Sequence, residues 1–131
     1  MKISAWILAL SMGVFGVLKF FSPFKDWYAV QVAASELGAG AYATGIAGEI
    51  GVGLGLAGLL HYAERIPHTV YFRLSVLMHG AVLVMMAVAV YVHLHPGVPA
   101  AVLPLKVKPP IIPLAFGGLA GGWLYRSVRN L

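Results

Sequence analysis

Glu49 is the residue in this chain best placed to do chemistry. It stands in ATGIAGEIGVGLGLAGLL, and no other charge occurs between Gly40 and Leu60. A charged side chain at mid-span in lipid costs about 2.5–3.5 kcal/mol on insertion scales, so Glu49 must face neighbouring helices and find a partner there. With a cation beside it the carboxylate stays charged; alone it holds a proton. Two partners are in reach by depth. Counted from one boundary, Lys19 lies about 5 Å deep and Glu49 about 13 Å, a gap that a lysine stem can cover. Counted from the other, His79 lies about 12 Å deep and Glu49 about 18 Å. Lys19, Glu49 and His79 together would form an interior polar pocket able to bind a polar head group or relay a proton. The same residues also fit a helix-to-helix ion pair that specifies packing, with His79 a satisfied interior histidine.

Other chemistries have less support. The chain has no cysteine, which removes disulfides, thiolate metal sites and cysteine nucleophiles together. Asp26 is the sole aspartate and falls in a connection, so no Ser–His–Asp arrangement is expected. His93-x-His95 sets two imidazoles near Pro96 with no carboxylate close in sequence, and two ligands do not make a structural zinc site. His61, His68 and His95 read as interfacial polar residues. Haem ligation by His61 or His79 would need a facing histidine at matched depth, and His93 stands at the wrong end. No metal site is expected.

The elements that position Glu49 follow from composition. Charged residues make up 10% of the 131 positions and apolar ones 60%, with a mean hydropathy of +0.88. An ordinary soluble domain has about 25% charged residues, and one this small cannot hide such an apolar excess. The expected fold is a single all-α membrane domain over residues 1–131, a bundle of four transmembrane helices. The first span runs from Ile3 to Ser22; it imitates a signal peptide but reads better as a retained helix. The second covers Gly40 to Leu60 or His61, and the third runs from about Tyr71 to Tyr91 or His93. Both reach the roughly 20 residues that a hydrocarbon core of about 30 Å requires. The fourth, Pro110 to Tyr125, is short at about 24 Å, with Lys108 and Arg126 able to snorkel from its ends.

Packing explains the glycines. Gly48, Gly51, Gly55 and Gly58 make one smooth strip on the second span, and Gly117, Gly118, Gly121 and Gly122 supply two overlapping G-x-x-x-G pairs in the fourth. Small residues let helices approach closely where no hydrophobic effect drives them together. Gly45 and Gly53 flank Glu49 by four positions on its own face, leaving room for a partner chain, water or a ligand.

The connections differ in character. Phe24 to Leu37 suits a short interfacial helix after the first span, with Phe24, Trp27, Tyr28 and Val32 on one side. His93 to Pro110 holds five prolines and cannot be a regular helix. It is too apolar for a mobile linker, so it should fold back over the bundle end as a packed plug or, functionally, a lid. The net charge of +5 is spread between apolar segments, which points to topology and away from nucleic acid. Lys2, Arg65, Arg73, Arg126 and Arg129 fall on one side, against Lys25, Lys106 and Lys108 on the other. That bias places both termini in the cytoplasm.

FGVLKFFSP near the first helix end, the ATGIAGEIGVGLGLAGLL stretch and LMHGAV in the third helix resemble the DoxX-like family of small bacterial membrane proteins, in the wider group that includes DoxD and MauE. The resemblance covers nearly the whole chain and implies four helices in a bacterial inner membrane. It places Gly16 and Lys19 at the end of helix one and Glu49 before its Gly/Leu run in helix two. Some relatives are associated with thiosulfate–quinone oxidoreduction or other redox systems; this chain, lacking cysteine, has no thiol machinery for such work. Two functions are therefore expected in competition. One is an accessory or assembly subunit of a membrane system, which the family resemblance associates with redox work, acting as a homo-oligomer or in a larger membrane complex. The other is a membrane-embedded pocket around Glu49 for a quinone, lipid or other small hydrophobic molecule. The cofactor is not specified, and the lipid bilayer is the one partner common to both.

Overall fold

Prolines and glycines set the boundaries of the helices. The computed structural model describes residues 1–131 and contains helices but no strands. Helix α1 (Lys2–Leu18) leads to α2 (Phe24–Ala34), α3 (Ala41–His61), α4 (His68–Leu94) and α5 (Ile111–Arg129), with two single 3-10 turns at Ala100–Val102 and Pro104–Lys106. Pro23, Pro67 and Pro110 stand at the N-caps of α2, α4 and α5. There the missing N–H costs least. Between α2 and α3 the chain turns through Glu36 (φ 58°) and Gly38 (φ 96°), and the second of these needs glycine's freedom. Pro96 follows the last turn of α4 and disfavours helical backbone at His95, whose ψ is 127°.

These bounds match the second expected span and correct the others. The first helix stops at Leu18 instead of Ser22. Phe20 and Phe21 donate backbone N–H groups to Val17 and Leu18 in a tightened turn, and Pro23 opens the next helix. The third begins three residues early, at His68, because Pro67 caps it. The fourth continues to Arg129, its last turn carrying Arg126 and Arg129. Of the four expected spans, α3 and α4 are long and apolar enough to cross a membrane, with mean hydropathies of 1.5 and 2.1. Helix α1 is apolar but has 17 residues, and α5 has the length without the apolarity.

Helices α1, α3, α4 and α5 close a ring in that order, each antiparallel to its neighbours. Leu8, Ala9 and Met12 meet Val52 and Leu56, Val82 and Met86, and Ala120 in the shared core. Phe15 of α1 packs edge-on against Phe116 of α5, centroids 5.5 Å apart. The closest approach is between α1 and α3. A Cβ added at Gly53 would lie 2.6 Å from the Gly13 backbone nitrogen and 3.0 Å from the Ala9 carbonyl oxygen. The expected glycine strip on α3 therefore divides. Gly48 and Gly55 receive the sulfurs of Met85 and Met78 from α4, while Gly51 and Gly58 face open space. On α5, Gly117 and Gly121 face Met86 and Leu83 of α4, and Gly118 and Gly122 are open.

The proline-rich segment is a packed plug. Val98 and Leu103 are buried with Val92 of α4. Gln31 of α2 donates its side-chain N–H to the Val102 carbonyl, and the Lys108 ammonium donates to the carbonyls of His95 (2.7 Å) and Val98 (2.6 Å). Tyr91 donates to the Ser35 carbonyl at 2.9 Å, tying α4 to the end of α2. Gln31 and Lys108 thereby supply the Val102 and Val98 carbonyls, which gain no backbone donor in this proline-interrupted stretch.

Candidate functional site

Gly16 lets α1 lie against Glu49 and Ile50, since an added Cβ there would meet both. One turn further on, Lys19 leaves the helix end and its ammonium donates to Glu49 Oε2 at 2.5 Å. This is the chain's single ion pair. The two side chains are 18% and 14% exposed, so water screens the attraction little and the carboxylate is neutralised from within. The sequence pairing of Lys19 with Glu49 is thus realised.

Tyr28 completes the site. Its ring lies under the Lys19 ammonium, 4.4 Å from nitrogen to centroid, and stacks obliquely on Tyr42 at 4.8 Å. Its hydroxyl shares its proton between the Ala41 and Tyr42 carbonyls at 3.2 and 3.1 Å. The same hydroxyl occupies the space beside Gly45, where a Cβ could not fit. Burial, the Glu49 charge and Tyr42 together push the Tyr28 phenol up to about 12. Its folded form therefore keeps a proton that the unfolded chain releases near pH 10, and stability should fall between pH 10 and about 12. Urea titrations should show a larger loss across that range in wild type than in Tyr28→Phe; parallel curves would contradict it.

Sequence reasoning left room for a ligand beside Glu49 at Gly45 and Gly53. The structure fills both places, with the Tyr28 hydroxyl and with the α1 backbone. Tyr28 and Tyr42 were missed as members of the site. Their one trace in the sequence is Gly45, whose missing Cβ leaves the space that the Tyr28 hydroxyl takes.

His79 does not join this cluster. The contacts of Gly48 with Met85 and of Gly55 with Met78 set the α3–α4 register, placing His79 level with Leu54. That is five residues from Glu49, or about 7.5 Å along the axis. The imidazole, 1% exposed, hydrogen-bonds through Nδ1 to the Ser75 carbonyl (2.7 Å) and stacks on Trp123 at 4.0 Å. Its Nε2 has no partner. An orphaned buried nitrogen costs about 1–3 kcal/mol. His79→Phe, which keeps the stack and removes the orphan, should leave the unfolding temperature in detergent unchanged or raise it. A marked fall would assign the imidazole a bond it lacks here.

The remaining histidines are separate. His93 is buried with Nδ1 on the Ala89 carbonyl, whereas His95 accepts the Gly97 N–H. No three of the His, Asp and Glu residues converge as metal ligands would. No family model, curated protein or solved structure matches the chain.

Proposed function

We propose that the chain is a small integral membrane protein acting as an accessory or assembly subunit of a bacterial membrane system, in keeping with its resemblance to the DoxX-like family. In this reading α1, α3, α4 and α5 cross the bilayer, and α2 lies with the plug at one interface. The outward surface supports the placement. Only 23 of 131 residues are buried, and Ile3, Leu10, Leu54, Leu77, Val84 and Leu114 are each more than 60% exposed. No more than 28% of the apolar stretch in α3 or α4 is buried, far below what a core helix of a soluble protein would show. Water does not tolerate so wide an apolar surface on a monomer; lipid or a partner does.

The observation that carries the assembly role is that the Glu49 charge is already paired within this chain. Lys19 neutralises it, the Tyr28 ring backs the Lys19 ammonium, and both glycine notches beside Glu49 are filled. A pocket protein would keep one of these places open. By contrast, the notches at Gly51 and Gly58 on α3 and at Gly118 and Gly122 on α5 open outward, where small residues favour helix association.

Purification in mild detergent tests the proposal. A stoichiometric protein partner, or a defined homo-oligomer, is the expected result. A lone protein carrying a quinone or lipid whose occupancy falls in Glu49→Gln would move the function to the interior site. A chain that stays dispersed without detergent would remove the membrane altogether.

A further inference from the structure

The nine lysines and arginines of this chain are divided unequally in use as well as in number. At the end of the bundle holding Lys19, two of the four cations are bonded within the chain, and the other two share that end with Asp26 and Glu36. Lys19 pairs with Glu49, and Lys108 holds the His95 and Val98 carbonyls. Lys106 lies over the Trp27 ring, and Lys25 is followed by Asp26 in a segment that also carries Glu36. At the other end, Lys2, Arg65, Arg73, Arg126 and Arg129 are all exposed, and none makes an ion pair. Glu64 is the only acidic side chain among them.

The geometry points to this end as a binding surface for anionic phospholipid headgroups. The inference rests on the membrane placement proposed above. Helices α1 and α4 begin here and α3 and α5 end here, so the backbone dipoles largely cancel and the side chains set the field. Arg65 lies 5.8 Å from the Tyr62 ring and Arg129 5.7 Å from Tyr125, aromatic partners suited to headgroup depth. The α4–α5 register that stacks His79 on Trp123 brings Arg73 level with Arg129. An arginine at that height on each of two adjoining helices can offer a planar fork of donors to a phosphodiester of its own. A zwitterionic headgroup presents its own ammonium to the same field and gains less.

Native mass spectrometry of the protein in neutral detergent, titrated with phosphatidylglycerol or phosphatidylcholine, tests this surface. Phosphatidylglycerol should be retained about tenfold more strongly at low salt. Arg73→Gln with Arg129→Gln should abolish most of that preference, while Lys25→Gln with Lys106→Gln should leave it. Equal retention of the two lipids would overturn the inference, as would a preference that survives the arginine substitutions or disappears with the lysine ones. Displacement by an equal concentration of inorganic phosphate would also overturn it, by showing that the lipid is not what is recognised. These outcomes are distinct from failure of the membrane placement, which would show as a protein soluble without detergent before any lipid is added.

Discussion

Glu49→Leu should lower stability in detergent by about 3 kcal/mol, because it strands the Lys19 ammonium in a part-buried site. Glu49→Gln should cost less, since its amide oxygen can still accept from Lys19. The decisive variant is the double one. Lys19→Met with Glu49→Leu removes both charges and should recover most of the loss, as apolar replacements of buried pairs commonly do. Thermal or denaturant unfolding of wild type, Lys19→Met, Glu49→Leu and the double variant gives the coupling directly. If Leu and Gln at position 49 destabilise equally, or if the double variant loses the sum of the two single losses, the pair is not the unit described here. Tyr28 sharpens the expectation, because its ring beneath Lys19 would lose a cation–π contact in the double variant. Recovery should therefore fall short of complete by about 0.5–1 kcal/mol.

Gly53→Ala should be nearly as damaging, at about 1–3 kcal/mol, although it adds one carbon. That carbon would arrive 2.6 Å from Gly13 N and 2.8 Å from Gly13 Cα, both backbone atoms of a facing helix. No side chain can swing aside, so α1 and α3 must separate along their contact. Gly51→Ala, two residues away on the same helix, provides the opposite sign. Nothing lies within 4 Å of its added Cβ, and alanine gains about 1 kcal/mol of helix propensity over glycine. Unfolding temperatures moving apart in the two variants would verify the register. A similar small change in both would mean that α1 does not lie against α3 as described.

The parts of this molecule legible in sequence are those set by one coordinate. Depth along a helix axis can be counted, and counting brought Lys19 to Glu49. The bounds of α3 follow from an apolar run, broken only by Thr44 and Glu49, between a Gly-rich turn and His61. Counting also brought His79 within range, and there it misled. Depth fixes neither the register between helices nor the side of a helix that a residue occupies. His79 lies about 7.5 Å along the axis from Glu49 and spends its face on Trp123. Tyr28 was out of reach for a related reason. Its helix is short and follows a turn, so the angle at which α2 leans on α3 depends on contacts distant in sequence, such as Gln31 with Val102 and Tyr91 with Ser35. The early stop of the first helix was written in Pro23, but apolar Phe20 and Phe21 disguised it as a longer span.

The unequal lengths of the helices have a mechanical consequence in a bilayer. At 1.5 Å per residue, α1 with its 17 residues is about 25 Å long and α4 with its 27 about 40 Å, while the hydrocarbon layer is about 30 Å thick. The two stand diagonally across the ring, so no uniform sheet of lipid can match both. If both cross a bilayer as proposed, lipids in the annulus beside α1 must compress while α4 inclines or protrudes, and the resulting strain favours either a thinner host membrane or a neighbour of complementary height.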